Sequence, residues 1–373
     1  MKPERVIVDS FKRKGVNLMV SLPCERVQRL LAEIPRHFRH VPLSREEEGV
    51  GICAGASLAG ARAGMLIQSS GVGNTINALC SLTKFYQLPL PILVSWRGVY
   101  DERIAAQIPM GKYLPKLLDA LEIGRTELAD PRELSAVEDI LGKVFEENTV
   151  HAFLLNPKLW GENMRGMENI VVERKELEEQ QHKVLRIRPH FTRFQLMEAA
   201  VPYLEGKAVV CNLGYPCKEL YHLKHQKSNF YMLGSMGMAS AVGLGIALNT
   251  QKEVVVVEGD GSILMNPSTL ATTALTAPRN LTLLVFDNGV YGSTGNQPTA
   301  ANGYADLELV ARGFGIKNTY KVATKDQLHR VLEELGEGPN FIHAVAKPGN
   351  VELPNVPLSS REIKENVVEF LKS

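Results

Sequence analysis

Val254-Val255-Val256-Val257-Glu258-Gly259-Asp260-Gly261-Ser262, together with Leu281-Thr282-Leu283-Leu284-Val285-Phe286 and the Asp287-Asn288-Gly289 that follows, carries the strongest structural signal in the chain. Four valines in a row, with no polar alternation, suit a strand covered on both faces, as in a parallel sheet. A helical pattern over 267–275 lies between the two runs, with Asn266 as its expected N-cap and Pro267 at the first helical position. Asp260 and Asn288 are 28 positions apart (288 − 260), enough for one strand–helix–strand crossover. Both side chains are then expected at the carboxyl ends of parallel strands, where open α/β sheets bind ligands. A carboxylate and an amide oxygen are hard ligands suited to Mg²⁺, which also takes backbone carbonyls, water and phosphate oxygens. Gly-Asp-Gly alone is a turn after a strand; followed one crossover later by a strand and Asn, it is far more specific.

Outward from this centre, short apolar runs alternate with amphipathic segments along the whole chain. Strands are expected over 18–22, 65–68, 91–95 and 152–155, and again over 208–211, 254–257, 281–286 and 341–345. Helices are expected over 4–14, 46–63, 74–86 and 131–147, then 193–204, 239–248, 267–275 and 325–335. Such βα alternation predicts doubly wound parallel sheets. The stretch from Glu168 to Arg188, ENIVVERKELEEQQHKVLRIR, breaks the pattern with dense charge and reads as a linker. The expected architecture is α/β, with two doubly wound parallel-sheet domains (1–165 and 190–373), a charged linker over 166–189 and no central third domain.

A length of 373 residues agrees with two domains, at ~150 residues each. Lys plus Arg number 42 against 41 Asp plus Glu, so the chain has no overall pull toward nucleic acid or anionic lipid, and an anionic ligand needs a built site. The five cysteines, Cys24, Cys53, Cys80, Cys211 and Cys217, form no C-x-x-C pair and stand beside no His at metal-ligand spacing, which argues against a disulfide scaffold and a structural zinc. His37/His40 and His222/His225 are each three apart but lack a third ligand, so half-buried or solvated positions are expected. No run approaches ~18 apolar residues, and the first residues read as a mixed helix, so the expectation is a cytoplasmic protein without membrane or nucleic-acid partners.

Asp260-Gly261 with Asn288 resembles the metal-and-diphosphate motif of the thiamine-diphosphate-dependent enzymes. The resemblance implies thiamine diphosphate and Mg²⁺ as cofactors. It also implies that Gly259, Asp260, Gly261 and Ser262 border the diphosphate, and that Asp260, Asn288 and the Val290 carbonyl bind the metal. Leu233-Gly234-Ser235-Met236-Gly237-Met238 resembles the family's stretch in which a bulky apolar residue, here Met236, wedges the cofactor into a bent shape. There Gly234 offers its carbonyl to the 4′-amino group; without the resemblance, Met236 reads as core packing. A third stretch, Ser44-Arg45-Glu46-Glu47-Glu48-Gly49-Val50-Gly51-Ile52-Cys53-Ala54-Gly55, resembles one in which a Glu stands nine residues before a helix glycine. That points from Gly55 to Glu46 as the catalytic group against N1′ of the aminopyrimidine, with Glu47 the rival for a one-residue shift. Three acidic residues are also a favourable first helical turn, and both readings can hold together. In this family the Glu and the Asp of one site come from two chains, which implies at least a homodimer.

Within the family, the chain is similar to the sulfopyruvate decarboxylases of coenzyme M biosynthesis, with alpha (about 1–165) and beta (about 188–373) parts fused. The supporting stretches are Val20-Ser21-Leu22-Pro23-Cys24, Gln68-Ser69-Ser70-Gly71-Val72-Gly73-Asn74, Ser95-Trp96-Arg97-Gly98, Ala106-Gln107-Ile108-Pro109-Met110-Gly111-Lys112 and Tyr291-Gly292-Ser293-Thr294-Gly295-Asn296-Gln297-Pro298-Thr299. Ile108 stands where the sister phosphonopyruvate decarboxylases tend to carry His. The implied reaction is decarboxylation of a 2-oxo acid with a distal sulfonate. Ser69, Ser70 and Asn74, at a helix start able to bind an anion, are candidate substrate donors, though the same segment also reads as a tight turn needed for packing; Arg97 at a strand end is another, since a guanidinium suits a sulfonate, and a salt bridge is its alternative. The alternatives are a phosphonopyruvate decarboxylase, another decarboxylase or carboligase of the same cofactor class, and a Mg²⁺-dependent phosphoryl-transfer or nucleotide-binding protein.

Overall fold

The structure, a computed structural model, describes residues 2–164 and 187–373. The first half holds strands β1 (Val16–Ser21), β2 (Arg39–Pro42), β3 (Arg62–Gln68), β4 (Leu90–Ser95), β5 (Gly124–Leu128) and β6 (Val150–Leu155), in spatial order β2-β1-β3-β4-β6-β5. The second holds β7 (Ala208–Cys211), β8 (Asn229–Tyr231), β9 (Val254–Gly259), β10 (Leu281–Asp287), a small hairpin of β11 (Val290–Tyr291) and β12 (Gln297–Pro298), β13 (Asn318–Val322) and β14 (Asn340–Val345). Its main sheet runs β13-β14-β10-β9-β7-β8. Every pairing in both main sheets is parallel. Counting main-sheet strands from each half's own start, both orders read 2-1-3-4-6-5, so the halves share one topology. The doubly wound α/β expectation is met twice.

The four-valine run is central in its sheet, between β10 and β7, and all four residues are buried. Two helices join the halves, Glu46–Leu58 and Ala239–Ala247, both buried on nearly every side. Their low amphipathicity follows, since a helix apolar all round belongs in an interior. Glycines allow the contact. Gly51 would place a Cβ 2.6 Å from that of Ala241, and Gly55 and Gly245 lie directly on the opposing backbones, at Val242 and Ile52. Any side chain at Gly55 or Gly245 would force the helices apart.

Boundaries differ from expectation where local chemistry intervenes. The helix beginning at Glu46 stops at Leu58, because Gly60 turns the chain with φ of 80° and Arg62 already starts β3. The helix expected over 74–86 begins at Ser69 and widens through a π-helical turn, Leu79–Lys84. A short helix, Asp260–Met265, starts at the aspartate itself; it ends at Asn266, and Ser268–Thr276 follows with Pro267 as its N-cap in place of the expected Asn266. The expected linker over 166–189 falls outside the described residues except for 187–189.

Candidate active site

Strands β9 and β10 deliver Asp260 and Asn288 side by side, since Gly259 pairs with Phe286 in register. Asp260 and Asn288, each one residue or two past that pair, are both buried. The Thr299 hydroxyl donates to Asp260 Oδ2. Burial pushes the Asp260 carboxyl up to about 6; the Thr299 hydrogen bond opposes this, and the charge of Asp287 adds to it. Asn288 Oδ1 accepts from the Val290 amide at 3.3 Å, while its Nδ2 is buried without a partner. Asn212 Oδ1 and Asn266 Nδ2 are also buried and unpartnered. Asn212 lies against Gly259, its Nδ2 3.6 Å from where a Cβ would stand. Tyr291 covers Gly261 closely enough to forbid a side chain there. A buried carboxylate with orphaned amides around glycine backbone fits a cation and a diphosphate, because each orphan otherwise costs ~1–3 kcal/mol. Among the described residues no group of three His, Cys, Asp or Glu could hold a metal, so a cation at Asp260 needs oxygens from Asn288, backbone and phosphate.

Cation binding at this carboxylate requires loss of its proton. Mg²⁺ affinity should therefore be flat above pH ~7 and fall roughly tenfold per unit below about 6, checked by calorimetric titration between pH 5 and 8.

Glu46 is buried at the first position of its helix. Its Oε2 accepts from Asn74 Nδ2 at 3.0 Å, and its Oε1 lies 2.6 Å from the place a Cβ on Gly71 would take. Both neighbours come from the segment 68–74, so that stretch cradles the carboxylate. Glu48 closes the helix start by accepting from the Ser44 and Arg45 amides, and it reaches Thr272 of the second half at 2.8 Å. Glu47 is only partly buried, and burial raises its pKa against the pull of Arg45.

Gly51 meets Ala241, Gly55 meets Val242 and Ile246, and Gly245 meets Ile52 and Ala56, so the numbers rise together and the two helices run in the same direction. Their N-termini therefore lie at one end: Glu46 begins one, and Met236 stands three residues before the other. Ser262 Oγ accepts from the Gly237 amide at 3.1 Å, tying that end to the Asp260 loop. Within one chain, the helix that Glu46 begins and the loop that carries Met236 are therefore neighbours across the two halves.

The candidate substrate donors divide. Ser70 is half-buried and Asn74 exposed, beside Glu46. Ser69 is fully committed: its hydroxyl bridges the Ser95 and Arg97 carbonyls and accepts from the Arg97 amide at 2.8 Å. Arg97 is buried and paired in two-pronged fashion with Glu102, at 2.7 and 2.8 Å, with Cys24 Sγ near its third nitrogen. Hydrogen bonding from Arg97 holds the Glu102 carboxyl down at about 2. Arg97 therefore locks the 97–104 loop and is not a free sulfonate partner.

Several supporting residues gave no sequence signal. Asp287 accepts from Gly289 N at 3.0 Å and from His343 Nε2 at 2.8 Å, shaping the turn that carries Asn288. Buried Arg193 pairs with Glu219 and reaches Asn350, which bonds the Gly292 carbonyl beneath the hairpin. Glu258, fully buried, accepts from the Ser240 amide and hydroxyl; burial raises its pKa against the hydrogen bonds of Ser262 and Ser240. Apart from the local Asp287–Gly289 and Glu258–Ser262 bonds, these contacts join residues 18 to 157 positions apart, beyond any local pattern. The five cysteines are all free thiols. His37 bonds Glu33, His40 bonds Ser21 and His225 bonds Tyr231, while His222 is exposed. Among the described residues no helix is long and apolar enough to cross a membrane.

Residues 1–123 match the family described as thiamine pyrophosphate enzyme, N-terminal TPP binding domain, and residues 213–344 match its C-terminal TPP binding domain. A protein of Methanosarcina acetivorans named sulfopyruvate decarboxylase is 40% identical over 383 aligned positions, covering 100% of this chain and 98% of that one. The sulfopyruvate decarboxylase subunit beta of Methanothermobacter thermautotrophicus is 42% identical over 180 positions, 48% of this chain and 95% of its own. A phosphonopyruvate decarboxylase of Streptomyces viridochromogenes is 31% identical, over 91% of this chain and 87% of its own.

Proposed function

Because the chain belongs to the sulfopyruvate decarboxylase family of thiamine pyrophosphate enzymes, we propose that it decarboxylates 3-sulfopyruvate to sulfoacetaldehyde and CO₂, using thiamine diphosphate and Mg²⁺ in coenzyme M biosynthesis. The observation that carries this is 40% identity to a sulfopyruvate decarboxylase along the entire chain. The 31% identity to a phosphonopyruvate decarboxylase makes phosphonopyruvate the competing substrate.

When bound, thiamine diphosphate supplies the electron sink into which a 2-oxo acid releases CO₂. The chain's residues hold and orient. Asp260 and Asn288, with the Val290 carbonyl, are assigned to Mg²⁺. Gly259, Gly261 and Ser262 border the diphosphate, and the unpartnered amide donors of Asn266 and Asn288 can serve its oxygens. Gly234 and Met236 set the cofactor's bend. Glu46 holds a proton relay position at N1′, fixed by Asn74. Ser70 and Asn74 face the substrate, with Ser69 and Arg97 acting through the loop they brace. Self-association into at least a homodimer and a cytoplasmic setting are part of this reading; the relative named as a beta subunit supports assembly.

The substrate assignment is tested by kcat/KM for 3-sulfopyruvate, phosphonopyruvate and pyruvate. Pyruvate leaves one or two sulfonate donors unpaired, each costing ~1–3 kcal/mol, so sulfopyruvate should be preferred over pyruvate by roughly 10–10⁴-fold. Equal values for the two would reject the assignment, and a higher value for phosphonopyruvate would move it to the sister reaction.

A further inference from the structure

The loop carrying Gly234 and Met236 is pinned by the opposite half of the molecule. Fully buried Tyr86 donates its hydroxyl hydrogen to the Tyr231 carbonyl at 2.8 Å and accepts from the Leu233 amide at 2.9 Å. Its ring packs at a tilt against Phe230, with centroids 4.8 Å apart. Ser81 Oγ donates to the Asn77 carbonyl at 2.8 Å, which leaves Ser235 as the donor in the 2.6 Å contact between the Ser81 and Ser235 hydroxyls. Gly234 is pressed on the same serine: a Cβ there would stand 3.2 Å from both Ser81 Cβ and the Ser81 carbonyl oxygen.

Ser81 lies within the π-helical turn Leu79–Lys84; such turns displace a side chain relative to a regular helix and recur at functional sites. Ser235, buried, has φ of 56°, a conformation that a non-glycine residue keeps only when its surroundings impose it. On the far side, the Gly237 amide is held by Ser262. Met236 sits between these pins, half-buried.

We propose that Ser81 and Tyr86 are positioning residues which impose the loop conformation that presents the Gly234 carbonyl and the Met236 side chain to the cofactor, so that the cofactor's bend is set by the first domain acting on the second. This rests on the assignment of Gly234 and Met236 made above. The Tyr86 hydroxyl fixes where β8 ends and the loop departs; the Ser81 hydroxyl fixes Ser235, one residue before Met236. Neither residue touches the cofactor in this account, and the loop takes its shape before any ligand binds.

The test uses the full chain bearing Ser81→Ala or Tyr86→Phe, with Ser81→Thr as the conservative variant. Amide hydrogen exchange over 231–237 is measured without cofactor, and the dissociation constant for thiamine diphosphate with Mg²⁺ by calorimetry. Both lesions should speed exchange in the loop by tenfold or more and raise the dissociation constant about tenfold, while Ser81→Thr restores both. Unchanged exchange would overturn the inference. So would faster exchange with an unchanged dissociation constant, since the loop would then be held to no purpose. If Tyr86→Phe fails to fold, the Ser81 pair carries the test alone. Met236→Ala separates this inference from its premise: weakened binding there with none in Ser81→Ala and Tyr86→Phe sinks only the inference, whereas wild-type binding by Met236→Ala sinks the premise and the inference with it.

Discussion

Glu46→Gln should lower kcat by about 10²–10⁴-fold while the melting temperature and the dissociation constant for thiamine diphosphate stay near wild type. The side chain is boxed in. Gly71 leaves only enough room for the carboxyl group, and Asn74 Nδ2 donates to Oε2 at 3.0 Å. Gln is the same size, so the helix start and its contact with the Ala239–Ala247 helix are preserved. Its amide oxygen can take the place of Oε2 and keep the Asn74 hydrogen bond. Its NH₂ then stands where Oε1 stood, with two protons it cannot give up. Proton exchange with N1′ is lost while shape is kept, which is why the effect should fall on kcat and not on folding. A Gln variant with a wild-type rate would move the acid–base role elsewhere; Glu47 is the first place to look, one residue along the same turn.

Legibility followed burial. The strands marked by apolar runs in the sequence are the interior strands of both sheets, where each face is covered and polarity would be costly. The main-sheet strands without such a mark are β2, β5, β8 and β13, and these are the four edges of the two main sheets. Arg39–Pro42, Gly124–Leu128 and Asn318–Val322 carry mixed polar residues because an edge meets solvent, and Asn229–Tyr231 is three residues long. Edge strands are short and polar by necessity, so their composition resembles that of loops. The site divides along a similar line. Asp260, Asn288, Met236 and Glu46 stand on motifs with fixed local spacing, and a Gly237–Ser262 hydrogen bond ties the Met236 loop to the Asp260 loop. Sequence leaves Arg97 open between a sulfonate donor and a salt bridge, because its partner Glu102 lies in an irregular loop, where no periodicity announces a pairing. The Tyr86–Tyr231 and Ser81–Ser235 contacts span the two halves, at separations of 145 and 154 residues, and only the docking of two domains reveals them.

Asp260→Asn should abolish Mg²⁺-dependent retention of thiamine diphosphate and, in the cofactor-free protein, raise stability. The first effect follows from loss of the one carboxylate assigned to the metal. Residues that merely orient a metal ligand are worth 10–100-fold in affinity, so removing the charged ligand should raise the cofactor dissociation constant by at least about a hundredfold, or about 2.7 kcal/mol. The second follows from the electrostatics of burial. The folded-state pKa of about 6 lies above the ordinary 3.8, so the fold favours the protonated acid. Below pH ~4 the group is protonated whether folded or unfolded, and it costs nothing. Between about 4 and 6 the unfolded chain ionises while the folded one resists, and stability falls with rising pH; above about 6 the full penalty, up to about 3 kcal/mol, is present. Asn has the same shape, no charge to desolvate, and an amide oxygen that can still accept from Thr299. At pH 7.5 the cofactor-free variant should therefore melt above cofactor-free wild type, and the gap should close on acidification toward pH 4. Adding Mg²⁺ and thiamine diphosphate should reverse the order, because the cation offsets the buried charge in wild type alone. Thermal melts of both proteins at the two pH values, with and without cofactor, check all four cells. A variant that melts lower in every one of them would show Asp260 to be a structural residue and leave the metal without its principal ligand.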